Sequence, residues 1–369
     1  MKLLTILGAR PQFIKAAAIS RAIVDKNISN NLSIKEIIVH TGQHYDPKMS
    51  EIFFQQLGIP SPDHNLKISN LSHGSMTGRM IEGVEELLAK HLPDCVLLYG
   101  DTNSTLAGAI AASKMHIPIA HIEAGLRSNN LAMPEEVNRI LTDRVSNLLY
   151  CPTASAIKNL VDEGYPFKLA NSRQQIIENT GDVMLDVIRH FSPEFKKNKI
   201  LESLDLENQD YALCTIHRAE NVDTIENLNN ILKALKYISS SCQVVLPIHP
   251  RTKNKLATSI DSSLFESLLI IDPLSYFEMQ ALSMNAKVIL TDSGGLQKEA
   301  YFHQVPCITL REETEWVETV QSGWNILAGS SKDNILNTFA TITKPDQSES
   351  LYGTGYASNQ IIDSLLKNL

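Results

Sequence analysis

Short apolar runs alternate with amphipathic segments along the whole chain. Runs at 3–7, 36–40, 95–99, 117–122 and 148–151 form one series; runs at 211–215, 243–247, 268–271, 288–291 and 307–310 form a second. Several are unbroken Val/Ile/Leu stretches, the pattern of strands covered on both faces. Between them, residues 14–24, 105–114, 154–161, 225–237 and 295–302 carry helical periodicity. Repeated strand–helix–strand winding predicts an α/β protein with parallel sheets, and two series predict two doubly wound domains in tandem. The polar stretch 163–209, with Pro166, Pro193 and lysines at 196, 197 and 199, puts the boundary near residue 170. The expected domains are therefore 1–170 and 171–354. Ligands of such sheets lie outside the carboxyl ends of the strands, so strand-ending residues of both halves are expected to line a cleft between the domains.

Composition narrows the partners. The net charge is -8 and no basic run stands out, which argues against nucleic acid or an anionic membrane surface. A few placed Arg and Lys could still hold an anionic small molecule. The five cysteines (95, 151, 214, 242 and 307) form no CxxC pair and read as buried small hydrophobes of a reducing compartment. No apolar stretch reaches the length of a signal-peptide core or a membrane span, so a cytoplasmic protein is expected.

The candidate chemistry sits where runs end. The first run leads into Gly8-Ala9-Arg10-Pro11, which lacks the GxGxxG fingerprint, so no dinucleotide is expected. Arg10 at that turn and Lys15 in the following helix are placed to reach an anion at the helix start. The run at 288–291 leads into Asp292-Ser293-Gly294-Gly295, where glycines let backbone N–H groups approach a phosphate. Glu299, four residues past Gly295, falls on one helix face with it and suits ribose hydroxyls. Asp101, Glu123 and Glu135 follow strand ends in the first half, and converging carboxylates suit acid/base work. His217 follows the run at 211–215. No HxxH or HExxH spacing joins these groups, so no metal is expected.

These motifs resemble one family, the non-hydrolysing UDP-N-acetylglucosamine 2-epimerases. The resemblance rests on Gly8–Pro11, Thr41-Gly42-Gln43-His44, Gly100-Asp101-Thr102, His121-Ile122-Glu123-Ala124-Gly125-Leu126-Arg127 and Pro134-Glu135-Glu136-Val137-Asn138-Arg139. It continues through Thr180-Gly181-Asp182, His217-Arg218-Ala219-Glu220-Asn221, Asp292–Gly295 and Arg311-Glu312-Glu313-Thr314-Glu315. It implies the two-domain GT-B architecture, with the closing helix at 355–369 returning to the first domain. It implies inversion of C2 by elimination of UDP and its re-addition, without cofactor or metal, in a homodimer. Asp101, Glu123, Glu135 and His217 match the catalytic residues. Arg10, Lys15, Arg139, Arg218, His249, Ser293, Gly294, Gly295, Glu299 and Arg311 match contacts to UDP or substrate.

Two departures point to a branch. Thr314-Glu315 is followed by Trp316-Val317 rather than Arg-Pro, and Gln43-His44 by Tyr45-Asp46-Pro47-Lys48-Met49. Both resemble enzymes acting on UDP-2,3-diacetamido-2,3-dideoxy-glucuronate for surface polysaccharide such as O-antigen or lipopolysaccharide. The alternative substrate is UDP-N-acetylglucosamine; a GT-B glycosyltransferase is a more distant reading. A C6 carboxylate would need an extra cation, for which Arg79, Arg127 and Arg218 are candidates. Gln43, His44, Arg127, Glu315 and Trp316 are the positions for substrate discrimination or a second, allosteric site.

Overall fold

A computed structural model describes residues 1–43, 54, 56–169, 174–248, 261–346 and 350–369. Its strands are β1 (Lys2–Leu7), β2 (Lys35–His40), β3 (His64–Asn65), β4 (Cys95–Tyr99), β5 (Ile119–Ile122), β6 (Leu148–Cys151) and β7 (Ile176–Asn179) in one sheet. A second sheet holds β8 (Tyr211–Thr215), β9 (Gln243–Pro247), β10 (Leu269–Ile271), β11 (Val288–Thr291), β12 (Cys307–Thr309) and β13 (Asn325–Leu327). Pairing is parallel in both. The order is β3-β2-β1-β4-β5-β6-β7 in the first and β10-β9-β8-β11-β12-β13 in the second. Each sheet reverses direction of growth once, between β1 and β4 and between β8 and β11, the switch points where doubly wound folds bind ligands.

The unbroken apolar runs have a physical cause. In the second sheet Ala212, Cys214, Val244, Leu246, Val288 and Leu290 pack into one core, while Tyr211, Leu213, Val245 and Ile289 pack into another on the opposite face. Because successive residues point to opposite faces, a strand covered on both sides must be apolar throughout. In the first sheet Leu4, Ile6, Val39, Val96 and Leu98 pack against Val84, Leu88, Ala109 and Ala112 from the helices His73–His91 and Asn103–Lys114. All five cysteines are buried free thiols. No helix among the described residues is long and apolar enough to cross a membrane.

The chain divides into two compact units, 1–190 with 350–369, and 191–349. This division falls twenty residues after the position near 170 expected from the sequence, because the polar stretch is not irregular. It contains β7, which pairs with β6, and a helix Val183–Lys196 whose Val183, Met184, Val187 and Ile188 are buried. The closing helix Ala357–Asn368 belongs to the first unit, where Lys26 bonds Asp363 at 2.5 Å and Tyr150 Oη meets Ser364 Oγ at 3.1 Å.

Candidate active site

In the first unit the turn after β1 is wired to the end of β4 by one amide. Gln12 Oε1 accepts from the Gly8 and Ala9 N–H groups, and Gln12 Nε2 donates to the Tyr99 carbonyl at 2.9 Å. This holds the start of the helix Arg10–Asn30, and with it Arg10 and the buried Lys15, beside the strand end bearing Asp101. Lys15 forms an ion pair with Glu123. Gly100 must be glycine here: its φ is +60°, and an added Cβ would lie 3.1 Å from Lys15 Nζ and 3.3 Å from Glu123 Oε1. Glu123 itself has φ +72°, uncommon for a residue with a side chain, so its surroundings must hold it there.

The helix Pro134–Val145 supplies that hold. Glu135 stands exposed in its first turn, while Glu136 is buried and accepts from Ser128 N, Ser128 Oγ and Asn129 N. Arg139 pairs with Glu136 at 2.6 Å and with Asp101, and Asn138 Nδ2 donates to the Asp101 carbonyl at 2.9 Å. One turn on, the fully buried Asp143 accepts from His121 Nδ1 at 2.7 Å, Gly125 N at 3.1 Å and Arg127 Nη1 at 2.7 Å. Burial alone would push the Asp143 carboxyl up, but the His121 ring and the Arg127 guanidinium outweigh it and hold it below the usual carboxylate range. Positions 135, 139 and 143 share one helix face by their spacing of four.

The same contacts revise the reading of Arg127. Its Nε and Nη2 bond both oxygens of Glu163, at 2.6 and 2.9 Å, and Nη1 bonds Asp143 and the Leu126 carbonyl. The guanidinium is thus engaged inside the unit, which argues against it as the cation for a substrate carboxylate. Arg79 is exposed and Arg218 half-buried. Gln43 Oε1 accepts from Ser104 Oγ at 2.8 Å. His44 and His249 lie outside the described residues, as does the segment 45–49.

In the second unit β8 and β11 end side by side, their Thr215 and Thr291 hydroxyls 2.6 Å apart. Asp292, fully buried, accepts from the backbone N–H of His217 and Arg218 and from Asn221 Nδ2, and bonds His217 Nδ1 at 2.8 Å. Burial would raise its carboxyl, yet the His217 ring and these N–H donors hold it below the usual range. His217 therefore has Nδ1 fixed and its ring largely exposed. Ser293 caps the helix Gly294–Phe302, accepting from Leu296 N, and Gly294 and Gly295 form its first turn. An added Cβ at Gly294 would lie 2.1 Å from Glu315 Oε1, so a larger residue there would displace the Glu315 carboxylate. Glu299 is buried on the same helix; Arg311, buried two residues after the end of β12, bonds Glu315 at 3.1 Å. Trp316 is buried with Lys298 Nζ 4.1 Å from its ring centroid, a cation–π contact.

Carboxylates fixed at the switch point of one doubly wound sheet, and a histidine with a glycine-rich helix start at that of another, match the motifs of a single family. The family model for UDP-N-acetylglucosamine 2-epimerase matches residues 26–366. The chain belongs to that family. It is 50% identical over 371 residues, all of both chains, to the UDP-2,3-diacetamido-2,3-dideoxy-D-glucuronate 2-epimerase of Pseudomonas aeruginosa. It is 49% identical over 377 residues, again all of both, to a UDP-N-acetylglucosamine 2-epimerase homolog of Methanococcus maripaludis. The crystal structure of the Methanocaldococcus jannaschii UDP-GlcNAc 2-epimerase in complex with UDP-GlcNAc and UDP superposes with TM-score 0.88 at 40% identity, covering 100% of each chain.

Within this 2-epimerase fold, sequence reasoning missed Gln12, Glu136, Asp143 and Asp292 as structural partners of the site. A weak signal existed: the Glu-x-x-x-Arg-x-x-x-Asp spacing of 135, 139 and 143 places three charges on one helix face.

Proposed function

We propose that this family member inverts C2 of UDP-2,3-diacetamido-2,3-dideoxy-glucuronate, giving the mannuronate epimer. The observation that carries the reaction class is the pair Asp101 and Glu123, held at the ends of adjacent strands β4 and β5 by the buried cations Arg139 and Lys15. The C2 proton of a pyranose has no neighbouring carbonyl, so direct deprotonation is too costly. Elimination avoids this: a carboxylate takes the C2 proton as the C1–O bond breaks, and UDP leaves with the bonding pair. UDP then re-adds to C1 while a proton reaches the opposite face of C2. The exposed Glu135 completes the set of carboxylates. His217, the Gly294–Gly295 helix start, Arg10 and Arg311 suit the charge that develops on the departing diphosphate. A diphosphate that draws Lys15 away from Glu123 would free that carboxylate for proton transfer.

The substrate branch is supported by the Pseudomonas relative and by the Trp316–Lys298 contact in place of the Arg-Pro sequence. The Methanocaldococcus likeness favours UDP-N-acetylglucosamine as the second reading. In the first role the enzyme works in the cytoplasm as a homodimer, feeding surface polysaccharide synthesis. Proton NMR with each UDP-sugar supplied separately decides the branch. The manno epimer is expected from the diacetamido-glucuronate alone; turnover of UDP-N-acetylglucosamine alone would overturn the branch and keep the reaction. Accumulation of free UDP and sugar in equal amounts would instead mean a hydrolysing enzyme.

A further inference from the structure

His121 is fully buried at the end of β5, and both ring nitrogens are occupied. Nδ1 lies 2.7 Å from Asp143 Oδ1, and Nε2 lies 2.7 Å from the Gly100 carbonyl oxygen. A carbonyl oxygen only accepts, so Nε2 must carry a proton. On the other side, Asp143 Oδ2 already receives Arg127 Nη1 and the Gly125 N–H, which stabilises the carboxylate as an anion. An anionic Oδ1 also only accepts, so Nδ1 carries a proton too. Two protons on one imidazole make a cation. Arg127 also pairs with both oxygens of the exposed Glu163, which leaves the buried Asp143 to offset the charge on His121.

The two ring bonds tie together the two catalytic strand ends. The Gly100 carbonyl belongs to the peptide that leads directly into Asp101. The Gly125 N–H held by Asp143 closes the turn in which Glu123 keeps its φ of +72°. The Glu123 and Ala124 N–H groups both donate to the Tyr150 carbonyl at 3.1 Å, so that turn is anchored at each end. We infer that His121 is a buried imidazolium that acts as a positioning residue, with Asp143 fixing Asp101 and Glu123 relative to one another. Its place in the reaction rests on the epimerase reading above; its charge does not.

Nitrogen-15 NMR of histidine-labelled wild-type protein at neutral pH tests the charge. Both His121 nitrogens are expected in the protonated range, with two slowly exchanging ring N–H protons, assigned by their loss in His121→Gln. A His121 nitrogen in the unprotonated range would overturn the inference, and needs no stable variant to be seen. In Asp143→Asn the signature should become that of a neutral ring; an unchanged signature would contradict Asp143 as its cause. For positioning, His121→Gln should lower kcat about a hundredfold with KM within about threefold of wild type, since a misplacement near 1 Å costs this much. Unchanged kcat in folded His121→Gln would remove the positioning role. A wild-type protein that epimerises neither UDP-sugar would defeat the epimerase reading and the positioning role with it, while the nitrogen spectrum would still decide the charge.

Discussion

The two units fix their strand ends by different means. The first uses a chain of alternating charges: Lys15 with Glu123, Asp101 with Arg139, Arg139 with Glu136, and Asp143 between His121 and Arg127. The second uses one buried aspartate, Asp292, that gathers two backbone N–H groups, an Asn amide and the His217 ring. On the proposed function, the difference follows from what each unit would present. A unit that offers carboxylates for proton transfer needs neighbouring cations to hold them in a buried setting. A unit that offers a diphosphate site does better with neutral N–H donors and a helix start, leaving its positive potential for the ligand.

The largest effects should appear where this contrast is broken at the chemistry. Glu123→Gln and Glu135→Gln should each lower kcat by about a thousandfold or more, as loss of an acid or base does, while calorimetry finds UDP affinity within about threefold. Loss of UDP affinity in both would remove their catalytic assignment. Asp292→Asn, which loosens His217 and the turn beside it, should lower kcat about a hundredfold in steady-state assays. A wild-type rate there would show that the second unit does not depend on its hub.

Stability sharpens the contrast further. Arg127→Met leaves Asp143 buried with one cation fewer and should cost about 3–5 kcal/mol in urea unfolding. Arg218→Met, whose site uses the backbone N–H rather than the guanidinium, should cost under about 1 kcal/mol. Equal costs would erase the distinction between the two units. Acid titration is a smaller probe. Asp143 and Asp292 are held below the usual carboxylate range, so their contribution is present above about pH 4 and is lost as pH falls through their lower folded values. Urea midpoints from pH 6 to 3 should fall on the acid side, and Asp143→Asn should flatten that limb. EDTA should leave activity unchanged; a chelator-sensitive rate would contradict a metal-free reaction.

What was legible in the chain follows from locality. Asp101, Glu123, His217 and Ser293–Gly295 each stand close behind an apolar strand's end, so strand pattern and residue chemistry together pointed to them. The supporting groups were not legible, because Gln12, Asp143 and Asp292 act on partners 71 to 93 residues away or across a helix, and such choices are made by packing. Ten of the thirteen described strands were readable as apolar runs. Edge strands β7 and β13 were not, since Glu178, Asn179 and Asn325 interrupt short and partly exposed segments. The helix Val183–Lys196 was hidden by Pro193 and its polar flanks, which moved the expected boundary too early.

The central claim is that the C1–O bond to UDP breaks and re-forms on the way to the C2 epimer. The most direct test uses the substrate with oxygen-18 in the bridge between C1 and the β-phosphate, followed by phosphorus-31 NMR. Elimination predicts that the label moves from the bridge to the non-bridging β-oxygens at a rate at least comparable to epimerisation. Complete epimerisation with the label still in the bridge would contradict the account.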